Sequence, residues 1–111
     1  MILNPKLLIV DDERGIVDMI QSYFQTQYDI LTAYSGQEAL KKVVCKPDLI
    51  LLDINMPGMD GLALLKQIKQ RHPMLPVIIM TAHSDLDAAV SAYQQGAFDY
   101  LPKPFDIDEA V

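Results

Sequence analysis

Residues 51–61, LLDINMPGMDG, decide the fold. An apolar run, Leu49-Ile50-Leu51-Leu52, stops on a carboxylate, Asp53, and a Met-Pro-Gly turn begins three residues later. Four consecutive aliphatic residues bounded by a turn read as a strand buried on both faces, the pattern of a parallel sheet covered by helices. Such a strand delivers an acid to its carboxyl end.

Outward from this strand, the same pattern repeats. Lys6-Leu7-Leu8-Ile9-Val10 reads as strand one, Tyr28 to Ala33 as a weaker strand two, Asp48 to Asp53 as strand three, Pro76 to Thr81 as strand four and Phe98 to Leu101 as strand five. Helical spacing falls between them. Helix one carries Ile16, Met19, Ile20, Tyr23 and Phe24. Ser35 with Glu38 forms a capping-box pattern ahead of helix two, whose inner stripe is Ala39, Leu40, Val43 and Val44. Leu62, Leu65 and Ile68 mark helix three, stopped before Pro73. Ser84 is an N-cap candidate for helix four, Asp85 and Asp87 suit its first turn, and Leu86, Ala89, Val90 and Tyr93 form its expected buried stripe, with Gly96 as C-cap. Asp106 to Val111 reads as the first turns of a fifth helix. Alternation at this spacing calls for one α/β domain over residues 1–111, with right-handed crossovers.

In a parallel sheet all carboxyl ends share one edge, and ligands bind in the crevice where strand order reverses. Asp11, Asp12 and Glu13 follow strand one, Asp53 ends strand three, Thr81 ends strand four and Lys103 follows strand five. With strands one and three adjacent, Asp11, Asp12 and Asp53 converge, and three close carboxylates call for a cation. Oxygen ligands without His or Cys favour Mg2+, which keeps positions for phosphate oxygens. Asp53 is then placed as a nucleophile toward a phosphoryl group, with Lys103 as a point charge and the Thr81 hydroxyl as a donor. The plain alternative is that Asp12 or Glu13 caps helix one and binds nothing.

Composition narrows the rest. Half of the 111 residues are apolar and the net charge is −6, so a core is available and direct contact with nucleic acid is disfavoured. No run is long enough to span a membrane, and Met1 to Lys6 is too short for a secretory signal, which suits a cytoplasmic chain. Cys45 stands alone and reads as a small buried hydrophobe. His72 reads as a structural helix-end residue, and Met56, Met59, Met74 and Met80 as gap-fillers.

Together, LIVDDE, LLDINMPGMDG, VIIMTA and DYLPKPF resemble the receiver domain of two-component response regulators, in order and spacing, across essentially the whole chain. The resemblance implies a flavodoxin-like (βα)5 doubly wound parallel sheet of order 2-1-3-4-5. Asp53 matches the phosphoacceptor. Asp12, Asp53 and the Asn55 backbone carbonyl match the direct Mg2+ ligands, and Asp11 matches the acid acting through water. Thr81 and Lys103 match the phosphate-contacting positions, and Tyr100 the aromatic switch. Asn55 and His83 match variable positions that influence aspartyl-phosphate lifetime. Lys103-Pro104 matches a peptide bond usually cis in the family. The implied partner is a histidine kinase or a small phosphodonor, and the implied output is the face of helix four, strand five and helix five.

A finer resemblance divides the chain. From MPGMDGLALLKQIKQRHP through FDIDEAV it is similar to nitrogen-regulatory receivers of enteric bacteria, while the first half is similar to another receiver subfamily. That uneven match implies an engineered or recombined chimera joined near Met56 to Leu65, with a natural homologue of uneven similarity as the alternative. The fifth helix carries only Ile107, Ala110 and Val111 as apolar residues, fewer than receivers usually offer, so a homo-oligomer covering the apolar stripe of helix one is expected. Three other functions compete. A phosphohydrolase would want an acid where Asn55 stands. A flavin or nucleotide binder would want a glycine-rich loop where DDERGIVD stands. A chimeric or engineered scaffold would have no signalling role.

Overall fold

Five apolar runs become five parallel strands: β1 (Lys6–Val10), β2 (Asp29–Ala33), β3 (Leu49–Asp53), β4 (Val77–Thr81) and β5 (Asp99–Pro102). They are joined by α1 (Arg14–Phe24), α2 (Gly36–Val43), α3 (Gly61–Arg71) and α4 (Leu86–Gln94). The computed structural model describes residues 4–56, 60–81 and 86–102. The strand order is β2-β1-β3-β4-β5, as expected from the sequence. Order reverses between β1 and β3, where Val10 stands opposite Leu52.

Alternation along each strand divides the core between two faces. Leu8, Val10, Ile50, Leu52, Val77 and Ile79 face α2, α3 and α4. Leu7, Ile9, Leu51 and Met80 face Ile16, Val17 and Ile20 of α1. Both sets lie deep because a parallel sheet is covered on both sides.

Helix boundaries follow local chemistry. Ser35 Oγ accepts from the Glu38 N–H at 3.1 Å and caps α2. Asp60 accepts from the N–H groups of Leu62 and Ala63 and caps α3. His72 is the C-cap of α3, in keeping with a structural role. Gly96 takes φ +103°, while its N–H reaches the Tyr93 carbonyl and the Ala97 N–H reaches that of Ala92, a Schellman end to α4.

Several expected core residues are not in the core. Cys45 is exposed, because α2 ends at Val43 and the chain turns outward there. Val44, the C-cap, is exposed with it. On α4 Ala89 is buried as expected and Ala92 with it, whereas Val90 and Tyr93 are exposed, and the Leu86 side chain lies outside the described residues. Met56 and Met80 are buried as expected, but Met74 is 91% exposed in the loop before β4. Phe98 lies just outside β5 and is exposed. Met59, the Ser84 cap, the Lys103-Pro104 bond and the fifth helix from Asp106, with the oligomer contact argued from it, lie outside the described residues.

Candidate functional site

Only three polar side chains are buried among the described residues: Asp11 at 0% exposure, Asp53 at 1% and Thr81 at 1%. All three stand at carboxyl strand ends. Asp11 is the first residue past β1, where its N–H still bonds the Ala33 carbonyl at 3.0 Å. Asp53 closes β3 and Thr81 closes β4. Burying a polar group opposes folding unless the group is well partnered, so three at one edge mark a place where packing alone does not decide the residue.

The register explains how the two acids come to stand on neighbouring strand ends. Val10 pairs with Leu52, so the next step places Asp11 beside Asp53. By strand parity both acids point toward the α1 face, and Thr81 toward the other. Each acid is held by a short-range turn. Asp11 Oδ1 accepts from the Glu13 N–H at 3.0 Å, and Asp53 Oδ1 accepts from the Asn55 N–H at 2.9 Å. These Asx turns fix the carboxylates against their own loops.

Carboxylate oxygens of Asp11, Asp12 and Glu13 lie within 4.8 Å of one another, with Asp12 and Glu13 exposed. Glu13 was not among the expected ligands, and Asp53 is not a member of this close group. Spacing alone could not separate Glu13 from a capping role. In the structure Glu13 is the N-cap of α1 but makes no side-chain cap hydrogen bond. An all-oxygen, anionic donor set of this kind fits a hard divalent cation.

Tyr100 is half-buried, packed on the α2–α4 side of the core and edge-to-face with Tyr93 at 6.1 Å. Asp99 Oδ1 accepts from both the Tyr93 hydroxyl and the Tyr100 N–H at 2.8 Å. The Tyr93 hydrogen bond, then that of the Tyr100 N–H, holds the Asp99 carboxyl below its ordinary pKa, and the same bond to Asp99 raises that of Tyr93. Arg14 lies over the Tyr34 ring at 4.1 Å, a cation–π contact that no spacing rule reveals. Asn55 is exposed beside the site. His83, Lys103 and Pro104 lie outside the described residues.

Residues 7–111 match the model of the response regulator receiver domain. The chain belongs to that family. It is similar to the DNA-binding transcriptional regulator NtrC of Klebsiella pneumoniae, 69% identical over 105 residues, which are 93% of this chain and 22% of that protein. It is also similar to sporulation initiation phosphotransferase F of Bacillus subtilis, 43% identical over 96% of this chain and 88% of that protein. Among solved structures, the receiver domain of NtrX from Brucella abortus is 39% identical with a TM-score of 0.83, covering 93% of this chain and 89% of that one. The chain thus spans about a fifth of the length of its NtrC relatives, 22%. A match over 93% of the chain necessarily crosses Met56 to Leu65, so it lends the expected join no support. No described helix is long and apolar enough to cross a membrane.

Proposed function

We propose that this receiver domain, a single unit over residues 1–111, takes a phosphoryl group on Asp53 in a Mg2+-dependent reaction. The observation that carries the reading is the burial of Asp11, Asp53 and Thr81 at adjoining strand ends. A carboxylate oxygen of Asp53 attacks phosphorus. The bond from phosphorus to the donor breaks, a P–N bond for a kinase phosphohistidine or a P–O bond for a small acyl phosphate, and its electron pair leaves with the donor. Asp11, Asp12 and Asp53 with the Asn55 carbonyl would hold Mg2+, and Glu13 adds charge beside them. When bound, the ion supplies positive charge against the carboxylates and phosphoryl oxygens.

Thr81 donates its hydroxyl to one phosphoryl oxygen, and Lys103 pairs with another. Asn55 and His83 flank the site and set how long the acyl phosphate lasts. Asn55 stands where a phosphohydrolase would carry its general acid, so turnover is limited to weak self-dephosphorylation. Added charge at Asp53 biases Tyr100 and α4, and with them the helix four, strand five and helix five face. The donor is a histidine kinase in the cytoplasm or a small phosphodonor, and any DNA contact belongs to the remainder of a longer regulator. Intact mass after incubation with acetyl phosphate and Mg2+ tests the reading. One added phosphoryl group, lost in Asp53→Asn and in chelator, supports it, and an unchanged mass refutes it.

A further inference from the structure

The segment from Asp53 to Met56 carries both the proposed acceptor and the proposed carbonyl ligand, so what fixes its backbone fixes the site. Three contacts do so. The Asn55 N–H bonds Asp53 Oδ1 at 2.9 Å. The Ile54 N–H reaches the Met80 carbonyl of β4 at 3.3 Å. On the remaining side the segment lies directly against Gly61, the first residue of α3.

That last contact is of backbone on backbone. A Cβ at position 61 would fall against Ile54 Cα, 2.6 Å from its carbonyl oxygen and 2.8 Å from its carbonyl carbon. Real Cβ atoms do not come so close, and no flexible side-chain tip is there to yield. Nor is α3 free to retreat: Asp60 holds its first turn, and Leu64, Leu65 and Ile68 are packed in the core. The segment between Asp53 and Asn55 is therefore the part that moves. Position 61 has no demand for positive φ, so close approach alone requires glycine there.

We infer that Gly61 is a positioning residue, setting the Ile54 backbone and hence the Asn55 carbonyl and the Asp53 carboxylate. The inference rests on the phosphoacceptor reading above. Its test is calorimetric Mg2+ binding without phosphodonor, together with amide chemical shifts and the phosphorylation rate, for the parent, Gly61→Ala, Asp60→Ala and Gly15→Ala. Asp60→Ala removes the α3 cap without adding an atom against Ile54, and a Cβ at Gly15 meets nothing within 4 Å.

Gly61→Ala should shift the amides of residues 53–56 and weaken Mg2+ binding about tenfold or more, the size seen when groups that orient metal ligands are altered. Phosphorylation at limiting Mg2+ should slow in proportion. Asp60→Ala and Gly15→Ala should bind as the parent does. If Gly61→Ala unfolds at assay temperature, the same comparison is made in a Lys46→Gly background, stabilised far from this edge. Parent-like Mg2+ affinity in folded Gly61→Ala overturns the inference, as does an equal loss in Asp60→Ala. A parent that neither binds Mg2+ nor gains a phosphoryl group overturns the phosphoacceptor reading itself.

Discussion

Asp48 and Asp53 bracket the same five-residue strand, one before its amino end and one at its carboxyl end. Asp48 is exposed and its Oδ2 accepts from the Lys6 N–H at 2.7 Å, while its own N–H reaches the Lys6 carbonyl at 2.8 Å. It staples β3 to the start of β1. Asp53 is buried at the opposite edge, its Oδ1 accepting from the Asn55 N–H at 2.9 Å within its own loop. The remainder of the amino edge resembles Asp48: Lys69 Nζ bonds the carbonyls of Pro73 and Leu75, and Pro47 and Pro76 stand just before β3 and β4. One edge of the sheet spends its polar groups on closing loops, and the other gathers the groups proposed to carry the chemistry.

The sharpest break in that comparison comes from exchanging the two acids in turn. Asp53→Asn should abolish phosphorylation completely, while stability in chelator stays at or above the parent's because acidic repulsion falls. Asp48→Ala should phosphorylate as the parent does and lose about 1 kcal/mol by urea titration, the typical value of one hydrogen bond. A phosphorylated Asp53→Asn, or an Asp48→Ala that loses phosphorylation while folded, would erase the distinction between edges.

Cation should stabilise only the carboxyl edge. Mg2+ at about 100 times its dissociation constant should raise the unfolding free energy by about 2.7 kcal/mol. The increment should vanish in Asp12→Ala and persist in Asp48→Ala. Melting curves of the three proteins with Mg2+ and with chelator decide this, and equal increments in all three would contradict it.

The carboxyl edge was largely legible because strand ends are written locally. Asp11, Asp53 and Thr81 each follow an apolar run, and topology does the rest. Helix faces were less so. On α4 the expected stripe ran through Val90 and Tyr93, which are exposed, whereas Ala89, also expected, and Ala92 are the small residues that a helix lying close on a sheet buries. Val44 and Cys45 fell beyond the end of α2, where periodicity no longer assigns a face. Glu13 and Gly61 depend on approach in three dimensions, and no spacing rule encodes a Cβ meeting a carbonyl seven residues earlier.

Lys46 sharpens the comparison from the amino edge. It takes φ +57° after α2, its N–H bonded to the Val43 carbonyl at 3.0 Å. A non-glycine residue is strained there. Lys46→Gly should therefore stabilise by about 0.5–1 kcal/mol, less than the full relief because glycine gains freedom when unfolded. Phosphorylation should not change. A higher denaturation midpoint with the same slope confirms this, and a lower midpoint would show that the turn is not strained.

The smallest expected effect is at Asp99, which opens β5 as Asp48 precedes β3, and which also spends its carboxylate on a structural bond. The bond to Tyr93 lowers the Asp99 pKa from 3.8 and raises that of Tyr93 from 10.0. A depressed carboxyl contributes stability above its unfolded pKa and loses it as pH falls through the folded one. A raised tyrosine contributes below its unfolded pKa and loses it as pH rises through the folded one. The stability difference between the parent and Tyr93→Phe should therefore be flat from about pH 4 to pH 10 and shrink beyond both limits. Both groups are exposed, so solvent screening keeps the difference small. Urea titrations across that range read it directly. A difference that grows in acid would mean that Asp99 is not held by this bond, and that the amino edge is not the purely structural side the comparison makes it.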